Sequence, residues 1–250
     1  MRTQLILLFA PLFPLLICNT PQLGKMQAAS TVIVKSKTQV VMELFTSQGC
    51  SSCPPADRLL GRTAKDSNVI ALSYHVDYWN NLGWKDPFSS ADNSARQRMY
   101  ASLGDTYTPQ LVINGEHEMV GSDVNKINGF RNTTEPLRPG ILKINEAVVK
   151  DGIIHIRFSC SMPLGKNELI GIVVQDQATT SIVRGENRGL TLTNYNIVRS
   201  FSSIPKVREG ENQFETLSIQ GVQPGHLSFV ILMQDKNSNK IITAVKANVK

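Results

Sequence analysis

Two cysteines three residues apart, Cys50 and Cys53, stand where a predicted strand gives way to a predicted helix, and that placement limits the possible folds sharply. The strand is the apolar run Val40–Phe45. The helix is read over Cys53–Lys65, with Leu59 and Leu60 on one face. Residues three apart at a helix start lie within one turn, inside the Cα spacing that a disulfide needs. Cys50 falls just ahead of the first turn, where unpaired backbone N–H groups and the positive end of the dipole favour a thiolate. Pro54 and Pro55 suit a first turn, whose N–H groups have no partner inside the helix to lose. The spacing therefore supplies an exposed attacking thiol, Cys50, and a more protected resolving thiol, Cys53, able to form a mixed disulfide and release it. A structural disulfide or a metal site uses the same spacing. A closed zinc site needs four ligands, and the chain has no second C-x-x-C. Cys160 lies far off in the second half, and its apolar neighbours predict a buried free thiol. No metal is the main expectation; Cys50, Cys53 and His75 remain open as a soft-metal site for copper.

Beyond this motif the chain falls into two unlike halves. In the first, Val69–Val76 is a strand, and Asp92–Leu103 is a helix with Ala95, Met99 and Leu103 at helical spacing. Gln110–Ile113 and Glu116–Val120 flank Asn114-Gly115, a strong hairpin signal, and Ser122 is placed to cap a last helix through about Phe130. In the second, Ile141–Val149, Ile153–Phe158, Leu169–Gln175, Tyr195–Phe201, Phe214–Ile219, Leu227–Gln234 and Ile241–Val249 read as short strands separated by Gly, Pro, Asn and Asp. That pattern predicts a β-sandwich of about seven strands. The expected organisation is an α/β domain over 39–135 followed by an all-β sandwich-like domain over 140–250. Pro136 and Pro139 stiffen the connector between them.

The first residues are read as a segment that is removed. Arg2 precedes the apolar run Leu5–Ile17 and then small and polar residues, which is the order of a secretory signal peptide over residues 1–29. The run is shorter than the ~20 residues that span a bilayer, and Pro11 and Pro14 break it. Leu15-Leu16-Ile17-Cys18 also resembles a lipoprotein signal ending before Cys18, although Ile17 stands where a small residue is usual. Only that processing gives a membrane anchor. Either one makes the mature chain secreted or periplasmic, where disulfides persist. The net charge of +6 includes Arg2 and Lys25, so the processed chain carries +4. With no Lys/Arg cluster of five or more, nucleic acid is not an expected partner.

A second motif gives the first its context. Tyr107-Thr108-Pro109-Gln110-Leu111-Val112-Ile113 opens a hairpin strand 56 residues after Cys53. An isolated Thr-Pro says little, since about 5–6% of X–Pro bonds are cis. Its position in the order strand, C-x-x-C helix, strand, helix, Thr-Pro strand, hairpin partner and helix is similar to the thioredoxin superfamily over about 95 residues. In that family a Thr or Val precedes a cis-proline that packs against the C-x-x-C, and the flanking backbone holds the substrate chain as an added strand. The resemblance implies those roles for Thr108 and Pro109. The chain also resembles the secreted thioredoxin-like family catalogued as domain of unknown function 1223. That resemblance rests on Glu43-Leu44-Phe45-Thr46-Ser47-Gln48-Gly49 running into Cys50-Ser51-Ser52-Cys53-Pro54-Pro55-Ala56-Asp57, and on His75-Val76-Asp77-Tyr78-Trp79. It implies a β-rich second half and a match reaching Arg184-Gly185-Glu186-Asn187. It carries fold more than function. Gly49 stands where a tryptophan often precedes the first cysteine, and Ser51-Ser52 replaces the usual Gly-Pro, so the direction of electron flow stays open.

Thioredoxins often bury an acid near the motif that moves the resolving cysteine's proton, usually one residue closer, and the resemblance implies that role for Glu43; the alternative is a strand residue pointing to solvent. His75 and Asp77 share a face at the carboxyl end of their strand, the end at which Cys50 also stands. A histidine there stabilises a thiolate or accepts its proton. Residues 77–90 form a long connection holding Tyr78, Trp79, Trp84 and Phe88; it serves as an apolar wall of a substrate groove or as a cap on the core. Arg96 and Arg98 read as a solvated face. The expected function is extracytoplasmic thiol–disulfide exchange without a cofactor. It takes a protein or peptide thiol or disulfide as substrate and requires a redox partner. The alternative is a non-catalytic thioredoxin-fold binding module or a copper-handling protein.

Overall fold

Val40–Thr46 forms β1, buried along its whole length, and a strand covered on both faces reads as a continuous apolar run. In this computed structural model residues 39–135 and 137–250 are described; the predicted signal peptide, Cys18 and Pro136 lie outside them. β1 pairs in parallel with Val69–His75 (β2) and antiparallel with Gln110–Ile113 (β3), which turns back into His117–Val120 (β4). Pro54–Thr63 (α1) follows β1, Ala91–Arg98 (α2) follows β2, and Val124–Thr133 (α3) follows β4. Asn114 and Gly115 take φ of 51° and 71°, a region that their residue types tolerate. The cap of α3 is Asp123, whose carboxylate accepts from Lys126 N, and not Ser122. The aspartate is one residue nearer the helix and holds an acceptor of the same kind.

All seven runs expected in the second half are strands: Leu142–Lys150 (β5), Ile153–Cys160 (β6), Asn167–Ser181 (β7), Thr191–Ser203 (β8), Gly210–Leu217 (β9), Leu227–Asp235 (β10) and Ile241–Asn248 (β11). They do not stand apart as an independent sandwich. β8 lies parallel beside β2, registered at Ser73 and Ile197, and this joins the halves into one eight-stranded sheet of order β11-β10-β7-β8-β2-β1-β3-β4. β5, β6 and β9 form a second sheet. One face of β7 and β10, with Leu169, Val173, Phe229 and Ile231, packs on Ile154, Ile156 and Phe158 of that second sheet. The other face, with Ile170, Ile172, Val174, Val230 and Leu232, shares a core with Val41, Phe45, Leu72 and Tyr74 of the first half. The expected break near 135–140 is therefore not a break. Leu137 is buried in the shared core, and Arg138 N donates to Ile242 O at 3.0 Å. Strands that are apolar on both faces need cover on both, and the first half supplies one of the covers.

The two faces of β1 carry different chemistry. Val40, Met42 and Leu44 meet Ala56 and Leu60 of α1 and Ile127 of α3. On the opposite face, Glu43 meets α2. This helix ends at Arg98, short of the predicted Leu103, and it buries Asn93, Ser94, Arg96 and Gln97 while Met99 stays 42% exposed. The apolar spacing misleads here because the sheet face below α2 holds a carboxylate. Arg96 Nε donates to Glu43 Oε1 at 2.6 Å and Tyr100 Oη to Oε2 at 2.5 Å. The guanidinium also lies 5.4 Å from the Tyr74 ring centre and 5.8 Å from that of Phe201. Burial works against its charge, and Glu43 together with Tyr100 and Tyr74 outweighs the burial. Arg96 is thus a core residue; Arg98 is exposed. Glu43, expected to serve Cys53, is committed to this pair on the face away from α1. Removing one member of a buried pair leaves the other uncompensated. Glu43→Ala is expected to cost about 3–5 kcal/mol in urea unfolding, and adding Arg96→Met to recover much of it. Unchanged stability in Glu43→Ala alone would refute the pairing.

Candidate active site

Cys50 and Cys53 are joined as a disulfide with Cα atoms 5.5 Å apart. Cys53 is the N-cap of α1, and Pro54 and Pro55 open the helix without losing an intrahelical bond. A tight turn leads in: Cys50 N donates to Ser47 O and Cys53 N to Cys50 O, both at 3.2 Å. The Thr108–Pro109 peptide is cis, and Cys50 Sγ lies 3.9 Å from Thr108 O. Trp79 Nε1 donates to Thr108 Oγ1 at 2.8 Å. Cys50, Cys53, Thr108, Pro109 and Trp79 are thus brought together.

The exposed attacking thiol is not found. Cys50 is 1% exposed and Cys53 fully buried, while Ser51 and Ser52 face solvent. Three covers account for this. Thr108–Pro109 closes one side. Trp79 packs on Gly49, where a Cβ would stand 3.3 Å from the tryptophan Cβ. The third cover, unforeseen in the sequence, is the loop 182–190 between β7 and β8. Asn187 Nδ2 donates to Gln48 O and Cys50 O at 2.9 Å each, and Ser51 N donates to Glu186 Oε2 at 2.9 Å.

Beneath the disulfide lies a buried polar group set. His75 Nδ1 meets Asp86 Oδ2 at 2.6 Å, and the same oxygen accepts from Gln48 N at 2.8 Å. Phe88 packs edge-on to the imidazole. His75 Nε2 and Asp57 Oδ1 are buried without a hydrogen-bond partner. Burial opposes the imidazolium, yet Asp86, with Asp57 behind it, holds the His75 pKa above its ordinary value. Burial likewise works against the Asp86 carboxylate, and His75 with the N–H groups of Gln48 and Phe88 brings its pKa below the usual range. Asp77 sits apart: it accepts from Ser94 Oγ at 2.5 Å and fixes the start of α2. Tyr78 Oη donates to Gln97 Oε1 at 3.2 Å and Trp84 Nε1 to Gln48 Oε1 at 3.2 Å, so the connection 77–90 both caps the site and leaves Tyr78 at its rim. Among the described residues no group of three or more His, Cys, Asp or Glu side chains is arranged to hold a metal. Cys160 is free and buried.

The family described as "Protein of unknown function (DUF1223)" matches residues 41–234, a span that includes every residue of this site. The chain is a member of the DUF1223 family. A protein of Archaeoglobus fulgidus described as a probable thioredoxin is 28% identical over 82 residues, 33% of this chain and 74% of that protein. A crystal structure of an Agrobacterium tumefaciens protein superposes with a TM-score of 0.63 at 24% identity, covering 84% of this chain and 94% of the other. At that identity the likeness is one of fold.

In this DUF1223 protein the buried acid on the Cys53 side of α1 is Asp57, not Glu43. It stands four residues after Cys53 on α1, hence on the same side of the helix, and it is buried. Burial raises its pKa to about 6, while His75 and the nearby Thr46 hydroxyl pull it back part of the way. The clue in the sequence was the i, i+4 spacing from Cys53. A carboxyl with this pKa changes charge near neutrality and is suited to exchange a proton with a thiol leaving a disulfide. The folded pKa lies above the unfolded value near 3.8, so the folded state holds the extra proton between the two. The burial penalty is absent near pH 4 and complete above pH 6, amounting to about 1–3 kcal/mol. Asp57→Asn is expected to raise the unfolding midpoint at pH 8 and to lose that advantage towards pH 4. A pH-independent difference would show the carboxyl to be unshifted.

Proposed function

We propose that this protein is a thioredoxin-type thiol–disulfide oxidoreductase that works outside the cytoplasm. The observation carrying this reading is a C-x-x-C disulfide at the mouth of α1, set against the cis Thr108–Pro109 bond with Cys50 Sγ 3.9 Å from Thr108 O. The similarity to a probable thioredoxin supports it over a third of the chain, and Arg2 with the Leu5–Ile17 run supports the location. Acting as a reductant, the Cys50 thiolate attacks one sulfur of a substrate disulfide, forming a mixed disulfide and releasing the other sulfur as thiolate. Cys53, after giving its proton to Asp57, attacks Cys50 Sγ, closes the pair and releases the second substrate thiolate. Two electrons pass to the substrate, whose two thiolates take up the protons lost by Cys50 and Cys53. The same steps reversed oxidise a dithiol. Thr108 and Pro109 shape the groove for a peptide or protein chain. Tyr78, Leu82 and Val183, all at least 42% exposed, give the rim apolar surface suited to a polypeptide partner.

One observation favours a second reading. Sulfurs sealed from water suit a fixed disulfide in a binding module. A redox titration separates the two. An exchange-active pair titrates roughly between −270 and −120 mV, whereas a structural disulfide resists reduction to below about −300 mV. The expected result is the first range, with turnover of a test dithiol lost in Cys50→Ser. A potential below −300 mV, or full activity in Cys50→Ser, would overturn the proposal.

A further inference from the structure

The β-rich half reaches the disulfide through two side chains of the 182–190 loop. Asn187 is 3% exposed, and its one amide group donates to both Gln48 O and Cys50 O. It therefore holds the turn that delivers Cys50 to the mouth of α1. Glu186 is exposed, yet its Oε2 accepts from Ser51 N, one of the N–H groups on which a Cys50 thiolate would draw. The loop is itself a closed hairpin end. Ile182 N donates to Leu190 O and Gly189 N to Ile182 O, both at 2.8 Å, and Ile182 is buried. Gly185 lies against the 77–90 connection, since a Cβ there would stand 3.1 Å from Trp84 Cβ.

We propose that Asn187 and Glu186 are positioning residues of the redox site, forming a latch that closes over Cys50 in the disulfide state and opposes its thiolate. The inference rests on the exchange reading above. In the disulfide the Cys50 sulfur carries no charge, and Glu186 meets the hydroxyl and N–H donors of Ser51. Once Cys50 is released as a thiolate, two negative groups compete for the donors of one helix mouth. The closed loop thus favours the oxidised pair, and by linkage reduction favours loop opening. The buried titratable groups of the same site are Asp57 from α1, His75 from β2 and Asp86 from the 77–90 connection, which act on one another, and Arg199 of β8 acts on His75. Arg184 and Arg188, on the loop itself, are exposed. The Ser51 hydroxyl and backbone N–H keep the Glu186 pKa below the usual carboxylate range, so its charge is present at neutral pH.

Glu186→Gln keeps an acceptor oxygen and removes the charge, and Asn187→Ala removes the tether. Three measurements on the full mature chain decide the matter: the Cys50–Cys53 potential, the pH profile of Cys50 alkylation by iodoacetamide, and the rate of disulfide reduction by dithiothreitol. For Glu186→Gln the expected result is a threefold to tenfold shift of the equilibrium towards the dithiol, about 14–30 mV upward for a two-electron couple. Its alkylation midpoint should fall by about half a pH unit or more. For Asn187→Ala, reduction should be about tenfold faster. Hydrogen exchange in the unmutated chain supplies a readout free of any folding defect: loop 182–190 and the Ser51 amide should exchange faster when reduced than when oxidised. A potential, pH profile and exchange pattern all unmoved would overturn the latch while leaving the exchange reading intact. A wild-type pair that resists reduction to below −300 mV would instead remove the underlying reading.

Discussion

The parallel contact between β2 and β8 is the joint on which the site depends. β2 ends at His75, beneath the disulfide, and β8 begins just after the loop that covers it. A register fixed at Ser73 and Ile197 brings residues from positions 48 and 187 into hydrogen-bond contact. α1 is fixed to the same joint, because Gly61 lies against the ring of Tyr195 on β8 and a Cβ there would run into it. A glycine inside a helix costs roughly 1 kcal/mol relative to alanine, and here its bare surface lets the helix carrying Cys53 seat on the strand that carries the cover.

This joint also explains why so much polar chemistry is buried. Open α/β sheets present functional groups at the carboxyl ends of their parallel strands, and β1 and β2 both end under the disulfide. Thr46, His75 and Gln48 enter a region that β8 and the 77–90 connection then close. Charges taken out of water need partners. His75 finds Asp86, and Glu43 finds Arg96 on the other face. Asp57 finds no hydrogen-bond partner for one of its oxygens, which leaves it as the buried acid free to take a proton.

What the sequence made legible was local. The C-x-x-C with its prolines, the Asn114-Gly115 turn and the seven apolar runs of the second half are all set by neighbours within a few residues, and each has its counterpart in the fold. What was not legible was set by partners far along the chain. Ala-Asp-Asn-Ser-Ala-Arg-Gln-Arg looks like a solvated helix until Glu43, 53 residues upstream of Arg96, is placed beneath it. A signal did exist: an acid inside the apolar run Val40–Phe45 must be paired if both faces of that strand are covered. The continuous sheet was hidden for a similar reason. Leu169–Val174 shows that a strand is covered on both faces without naming what covers it.

The sealed disulfide and the exchange chemistry are compatible only if the cover can leave. Pro109 directly precedes β3, which is hydrogen-bonded on both sides by β1 and β4, and its carbonyl accepts from Gly121 N at 2.9 Å. Trp79 is tied to Thr108 by its ring N–H and packed on Gly49. The 182–190 loop is held differently. It touches the motif through one exposed carboxylate and one amide, and Val183 and Leu190 flank it with 64% and 48% of their surface in water. Local opening is cheapest where few apolar contacts are lost. If the pair exchanges, the cover that opens at least cost is therefore the 182–190 loop, the one that the β-rich half lays on the turn carrying Cys50.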